Sequence, residues 1–235
     1  MNRLIPGFTI PLDYPTSDGK PVAETDTHRR LMFDLIHRLQ AWFAMRADVY
    51  VTGNLMVYYS EGQPQRHLPP DCFVAFGVPN HERDLYKTWL EGVVPSVVFE
   101  ITSKSTKRED IVTKRAVYDK EWKVDEYFLF DPFEDYLDPS MQGFRRVRNE
   151  LRPIRMVKDQ LTSRALGITL ERDEERLVLR EALTGKLILK DSEILEIKLK
   201  NSERTTAKVE ARNDQLAAEN ERLLAELAAS KKKKS

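Results

Sequence analysis

Two carboxylates stand where their type is costly: Asp71, directly before the apolar run Cys72 to Phe76, and Glu100, directly after Val97-Val98-Phe99. An unpaired carboxylate buried in such a run is expensive, so each must be paired, lie at a strand end, or meet a cation. If the two runs are neighbouring strands, both acids converge on one hard divalent ion. Magnesium suits such a site, with manganese as a permissive substitute, because it takes oxygen ligands and leaves room for water and a substrate phosphate. The chemistry would be phosphodiester hydrolysis, which needs an activated water and charge stabilisation on a crowded phosphate. A lysine would add positive charge, and Lys104, Lys107 and Lys114 follow Glu100. Lys114 stands out because Asp110, Lys114 and Tyr118 recur every four residues, making one polar stripe on a helix that also carries Ile111, Val112 and Val117. The stripe faces the acids, or it is an exposed Asp-to-Lys pair beside a tyrosine, worth about a few tenths of a kcal/mol. Spacing leaves both open.

These residues need a scaffold. Pro6, Gly7, Pro11, Pro15, Gly19 and Pro21 break up the start of the chain, which reads as a lead-in arm. From about Thr27 to Met45, Leu31, Leu35, Ile36, Leu39, Trp42 and Phe43 recur on one helix face, with Asp26 or Thr27 as cap. Residues 48–51 and 54–59 read as strands in a hairpin-like layout, with a turn at Glu61-Gly62-Gln63. Residues 72–76 and 96–102 read as central strands, 110–120 as a helix and 126–131 as a strand, which together suggest a βαβ-like unit. Short strands are expected at 144–147, 154–157, 177–179 and 187–189, with Thr184-Gly185 turning between the last two.

Residues 192–230 contain no proline or glycine and fit one unbroken heptad register. Leu199, Thr206, Asn213, Asn220 and Leu227 fall at a; Leu195, Ser202, Val209, Leu216 and Leu223 fall at d. Asparagine at a favours a particular register, so the pattern predicts a coiled coil, most simply a parallel homodimer. A single amphipathic helix folded back on the domain is the other outcome.

With 235 residues, 41% of them hydrophobic, the chain has enough material for one sizeable core plus an appendage. No uninterrupted apolar run is long enough for a membrane helix, and the N-terminus lacks the order of a signal peptide, so no membrane association and a cytoplasmic location are expected. Cys72 is the only cysteine, which excludes an internal disulfide; within its apolar run it reads as packing. Lysines plus arginines equal aspartates plus glutamates at 38 each, so global charge announces no nucleic-acid partner. One stretch is lopsided: Arg145, Arg146, Arg148, Arg152, Arg155, Lys158 and Arg164 face only Glu150 and Asp159. It grips phosphates, or it is a solvated surface balanced by acids elsewhere.

Pro70-Asp71 before an apolar strand, followed by Pro95-Ser96-Val97-Val98-Phe99-Glu100-Ile101-Thr102-Ser103-Lys104-Ser105-Thr106, resembles the PD and E-V-x-S-P-S-T elements of the Uma-type restriction endonuclease family, within the PD-(D/E)xK nuclease superfamily. Asp110, Lys114 and Tyr118 match that family's D-x3-K-x3-Y stripe, and the block from Val124 to Pro132 is similar to its V-x-E-Y-W-x-V-D-P element. The likeness runs from about Glu24 to Leu189. It implies a restriction endonuclease-like α/β fold, a mixed sheet flanked by helices, with the coiled-coil helix appended. It implies Asp71 and Glu100 as metal ligands, with Glu24 completing the site, although helix-start electrostatics is the better account of an acid there. His28 falls where the family often has histidine; at a helix start it packs or caps. The sequence departs from the wider superfamily in carrying Thr102 where a lysine stands two residues after the second acid, so Lys114 would supply the charge from the helix. Lys104 replaces the family's usual proline, and Phe128 and Phe130 replace tryptophan and valine.

The expected organisation is an arm over residues 1–23, a nuclease domain over 24–190, and a coiled-coil helix with a lysine-rich tail over 191–235. The expected function is a magnesium-dependent endonuclease acting on DNA, with Asp71, Glu100 and Lys114 as catalytic residues. The alternative is a catalytically inactive nuclease fold serving as a DNA-binding or coiled-coil assembly module.

Overall fold

The computed structural model describes residues 13–17, 25–103 and 108–232, so Glu24, Lys104 and Lys107 lie outside the described residues. The chain divides into two units, Met1–Lys190 and Asp191–Ser235.

In the first unit, helix α1 (Asp26–Trp42) precedes β1 (Val49–Thr52), β2 (Val57–Tyr58), β3 (His67–Leu68), β4 (Cys72–Phe76) and β5 (Tyr86–Lys87). After a short helix α2 (Thr88–Glu91) come β6 (Val97–Ile101), a π-helical turn (Glu109–Lys114), α3 (Arg115–Lys120) and β7 (Glu126–Phe130). The unit ends with β8 (Met141–Val147), β9 (Glu150–Pro153), β10 (Gln160–Ser163), β11 (Ile168–Asp173) and β12 (Arg176–Glu181). The main sheet has the order β1-β4-β6-β7-β8-β9, flanked by two three-stranded sheets, β10-β11-β12 and β3-β2-β5. The architecture is α/β. Only β6 and β7 run parallel within the main sheet, and the crossover joining them carries the π turn and α3, the βαβ unit that the alternating periodicities predict.

The main sheet is covered on both faces, which is why β4, β6 and β7 read as continuous apolar runs rather than alternating ones. One core joins Leu31, Leu35 and Leu39 of α1 to Val74, Phe99 and Phe128, and to Leu161, Ile168 and Leu179 of the β10-β11-β12 sheet. The other joins Phe73, Val98 and Tyr127 to Tyr118 and Trp122 of the crossover and to Val57 and Tyr86.

Several expectations are corrected. The cap of α1 is Thr25, whose hydroxyl accepts from the His28 N–H at 3.2 Å, and the helix stops at Trp42 rather than Met45. Residues 48–51 and 54–59 form no hairpin: β1 pairs with β4, while β2 pairs with β3 and β5 in a separate sheet. Residues 154–157 and 187–189 are not strands; Val157 and Leu187 contribute only isolated bridges. The strands in that region are β9, β10 and β11, whose polar residues mask the apolar ones: Leu161 and Ile168 are buried in the core but are flanked in sequence by glutamine, threonine and charged residues.

The second unit is helix α4 (Asp191–Lys232), 42 residues long. Its side chains from Leu195 to Glu226 are exposed. Among the described residues, no helix is long and apolar enough to cross a membrane.

Candidate functional site

Strand register brings the two acids together. In the antiparallel β4–β6 pair Cys72 lies opposite Phe99, so continuing by one residue sets Asp71 across from Glu100, on the face of the sheet shared by Phe73 and Val98. Glu100 is almost completely buried, at 1% exposure. Its Oε2 accepts from Lys114 Nζ at 2.9 Å and its Oε1 from the Tyr118 hydroxyl at 2.5 Å. Lys114 Nζ also lies 2.9 Å from Oδ1 of Asp110, itself buried. The polar stripe thus faces the acids and is not an exposed ion pair. The π turn sits where functional helices often carry one and ends at Lys114, and the Tyr127 hydroxyl donates to the Asp110 carbonyl at 3.1 Å.

Asp71 is held by a different set of groups. Its Oδ2 accepts from the Ile101 N–H at 2.7 Å and lies 3.1 Å from His28 Nε2, which is also 3.0 Å from the Ile101 carbonyl. The first turn of α1 therefore ties directly to the strand bearing Glu100. His28 does more than pack or cap; the sequence offers the residue but no signal of this partner. Beneath Asp71 lies Gly53, on which a Cβ would stand 1.9 Å from the Asp71 carbonyl oxygen.

The electrostatics follow from burial and crowding. Burial pushes the Glu100 carboxyl up to about 8; Lys114 opposes this, while Asp71 and Asp110 add to it. Burial alone would depress the Lys114 ammonium, but Glu100, Asp110 and Asp71 outweigh it and leave the group raised and charged. Burial, then Glu100, raise the Tyr118 hydroxyl well above its usual range, so it remains a donor. Glu100 and Asp110 thus pair with one lysine, and Asp71 adds to the negative field around it. Among the described residues, no three His, Cys, Asp or Glu side chains converge closely enough to hold a metal ion. Glu24, expected as the third ligand, lies outside the described residues. Cys72 is fully buried, and burial followed by Asp71 and Glu100 raises its thiol, which fits a packing role.

The arginine-rich stretch is partly internal. Arg145 Nε lies 2.6 Å from Oε1 of Glu126, a buried acid that also accepts from the Ser163 hydroxyl and the Arg164 N–H. Arg146 binds the Val124 and Asp119 carbonyls at 2.9 and 2.8 Å. Arg148, Arg152, Arg155, Lys158 and Arg164 remain exposed. Arg145 pairs with Glu126 at one end of β7, whereas Glu100 pairs with Leu129 near the other, a separation of roughly 10 Å along the strand. Arg145 therefore does not border the acids. Arg145→Ala is expected to cost about 2 kcal/mol, below the full penalty for a broken buried pair, because Glu126 keeps two other donors. A urea melt with an unchanged midpoint would show that Arg145 contributes nothing to the fold.

A search of curated proteins finds no match. A crystal structure described as "a putative nuclease belonging to DUF820" from Anabaena variabilis shares 13% identity, covering 61% of this chain and 75% of that one, with a TM-score of 0.46. The model of the Uma2 family, described as "Putative restriction endonuclease", matches residues 9–174, a span that holds Asp71, Glu100, Asp110, Lys114 and Tyr118. The chain belongs to the Uma2 family.

Proposed function

We propose that this protein is a divalent-metal-dependent endonuclease that hydrolyses phosphodiester bonds in DNA. The observation that carries the reading is the convergence of acids: Lys114 bridges the buried Glu100 and Asp110, and strand register sets Asp71 across from Glu100. Asp71 and Glu100 would hold the cation, with Glu24 as a further ligand. The donor set fits: it is all oxygen, and magnesium binds through one or two carboxylates with its remaining positions left to water and substrate phosphate. A bound magnesium or manganese ion supplies an activated water and neutralises charge on the phosphate. The chain's own residues prepare the site. His28 and the Ile101 N–H fix the Asp71 carboxylate, and the Tyr118 hydroxyl orients Glu100. Lys114, anchored between Glu100 and Asp110, presents a fixed positive charge for the attacked phosphate or its water.

A second reading, a nuclease fold without catalysis that acts in DNA binding or assembly, is favoured by Thr102, buried where a catalytic lysine would stand, and by the exposed seam of α4. Cleavage of supercoiled and linear DNA with magnesium or manganese separates the two. The wild type is expected to cut, and Asp71→Ala and Glu100→Ala, verified as folded by circular dichroism, are expected to lose cutting by roughly 1,000-fold. Cutting retained in both variants would remove these acids from the mechanism. No cutting by the wild type would favour the second reading.

A further inference from the structure

We infer that α4 pairs with α4 of a second copy of this chain, with the two helices parallel and in register. The helix is about 63 Å long. It displays Leu195, Leu199, Val209, Leu216 and Leu223, each at least 41% exposed, along one heptad seam. Within the helix, the Glu196–Lys200 and Arg222–Glu226 pairs support the single strand by about a few tenths of a kcal/mol each, and leave that seam uncovered.

The polar positions in the seam decide the occupant and its direction. In a parallel, in-register pair every core residue meets its own copy. Asn213 and Asn220 then pair amide to amide, Ser202 and Thr206 meet hydroxyl to hydroxyl, and each leucine meets leucine. The flanking charges agree. Lys198 faces Glu203 of the second copy, while Thr205, Arg212 and Glu219 face Glu210, Ala217 and Leu224, so among these contacts none opposes like charges. A fully overlapped antiparallel pair, with Leu199 against Leu223, does the opposite. It sets Asn213 against Val209 and Thr206 against Leu216, stranding polar groups on apolar ones, and it brings Arg212 against Arg212 and Glu210 against Glu210. Two asparagine layers also favour two strands, because each amide finds one partner across the seam.

Parallel pairing places the two Lys190 ends at the same end of the coil, which holds two catalytic units at high effective concentration. A paired cut in one duplex would follow from that placement; this consequence rests on the nuclease reading, whereas the pairing does not.

The test uses the full chain with Ser202→Cys, a small change at an exposed d position, oxidised by glutathione disulfide. Cys72, fully buried, leaves the wild type as a silent control. Most of the variant is expected to shift to a disulfide-linked dimer on a non-reducing gel. Wild type at tens of micromolar is expected to sediment as a dimer. The Ser202→Cys chain is then mixed and exchanged with an Asn220→Cys chain before oxidation. Peptide mass spectrometry is expected to find each introduced thiol joined to the same position of a second copy, with no disulfide between the two variants. A disulfide between the two different positions would establish the antiparallel arrangement, and a monomer with no crosslink would eliminate the pair; either overturns the inference.

Discussion

Glu100→Gln is expected to abolish the proposed metal-dependent cleavage while making the cation-free protein more stable at pH 8. The two effects have opposite signs because they arise from the same buried charge. The substitution removes a proposed ligand, and losing several kcal/mol of transition-state stabilisation slows cleavage by roughly 1,000-fold. It also removes an electrostatic burden. The folded carboxyl titrates near 8 against a reference value of 4.5, chiefly because of burial. Between those values the folded chain retains a proton that the unfolded chain has released. The folded state therefore binds more protons, and this group's contribution to stability is full below about 4.5 and is lost as pH rises through about 8. Glutamine carries no such dependence, and its amide can still meet both Lys114 and Tyr118. Thermal melts in chelator between pH 5 and pH 8 should show a steeper decline for wild type than for Glu100→Gln. Parallel declines would mean that Glu100 is not the group that titrates.

Gly53→Ala is expected to damage both fold and site without touching any candidate catalytic side chain. A Cβ there would lie 1.9 Å from the Asp71 carbonyl oxygen, 2.8 Å from its carbonyl carbon and 2.8 Å from Ile36 Cδ1. Two of those atoms are backbone, so no rotamer change relieves the clash; the segment before β4 must move by about an ångström or more. Moving it strains the Asn54 N–H bond to Pro70 and displaces Asp71 from the Ile101 N–H and His28. Overpacking of this severity costs about 3 kcal/mol, and a misplacement of about 1 Å at a reacting centre costs roughly 100-fold in rate. The melting temperature should fall by about 6–12 °C. Gly143→Ala is the useful contrast, because its Cβ would crowd side chains, the Phe128 ring at 2.9 and 3.0 Å and Ile154 Cδ1 at 3.2 Å, and not the backbone that carries Asp71. Equal activity losses in the two variants would argue against a special role for the Gly53 contact.

The parts of this molecule that were legible in the sequence are those where one face or one run carries the signal. The spacing of α1, the apolar runs of β4, β6 and β7, and the four-residue stripe from Asp110 to Tyr118 all survive in the structure. The convergence of Glu100 with Lys114 was one of the two outcomes that spacing left open, because a four-residue polar stripe can equally face solvent; only the packing of the helix on the sheet decides it. What was not legible depends on contacts distant in sequence. Glu126 reads as the first residue of a strand, and nothing marks it as the partner of Arg145 and Ser163. The two-residue strands β2, β3 and β5 are too short for any periodicity, and β11 is half charged. The bond between His28 and Asp71 spans 43 residues and follows from how α1 crosses the sheet, which no local pattern encodes.

The hydrogen bond from the Ile101 N–H to Asp71 gives the protein an intrinsic spectroscopic probe. A backbone amide bonded to a carboxylate shifts its proton resonance as the charge on that carboxylate is shared or withdrawn. The same proton is screened from solvent exchange while the bond stays closed. A single cross-peak in a nitrogen-edited spectrum would thus report whether the cation proposed at Asp71 binds, without turnover, substrate or any added label on the side chain.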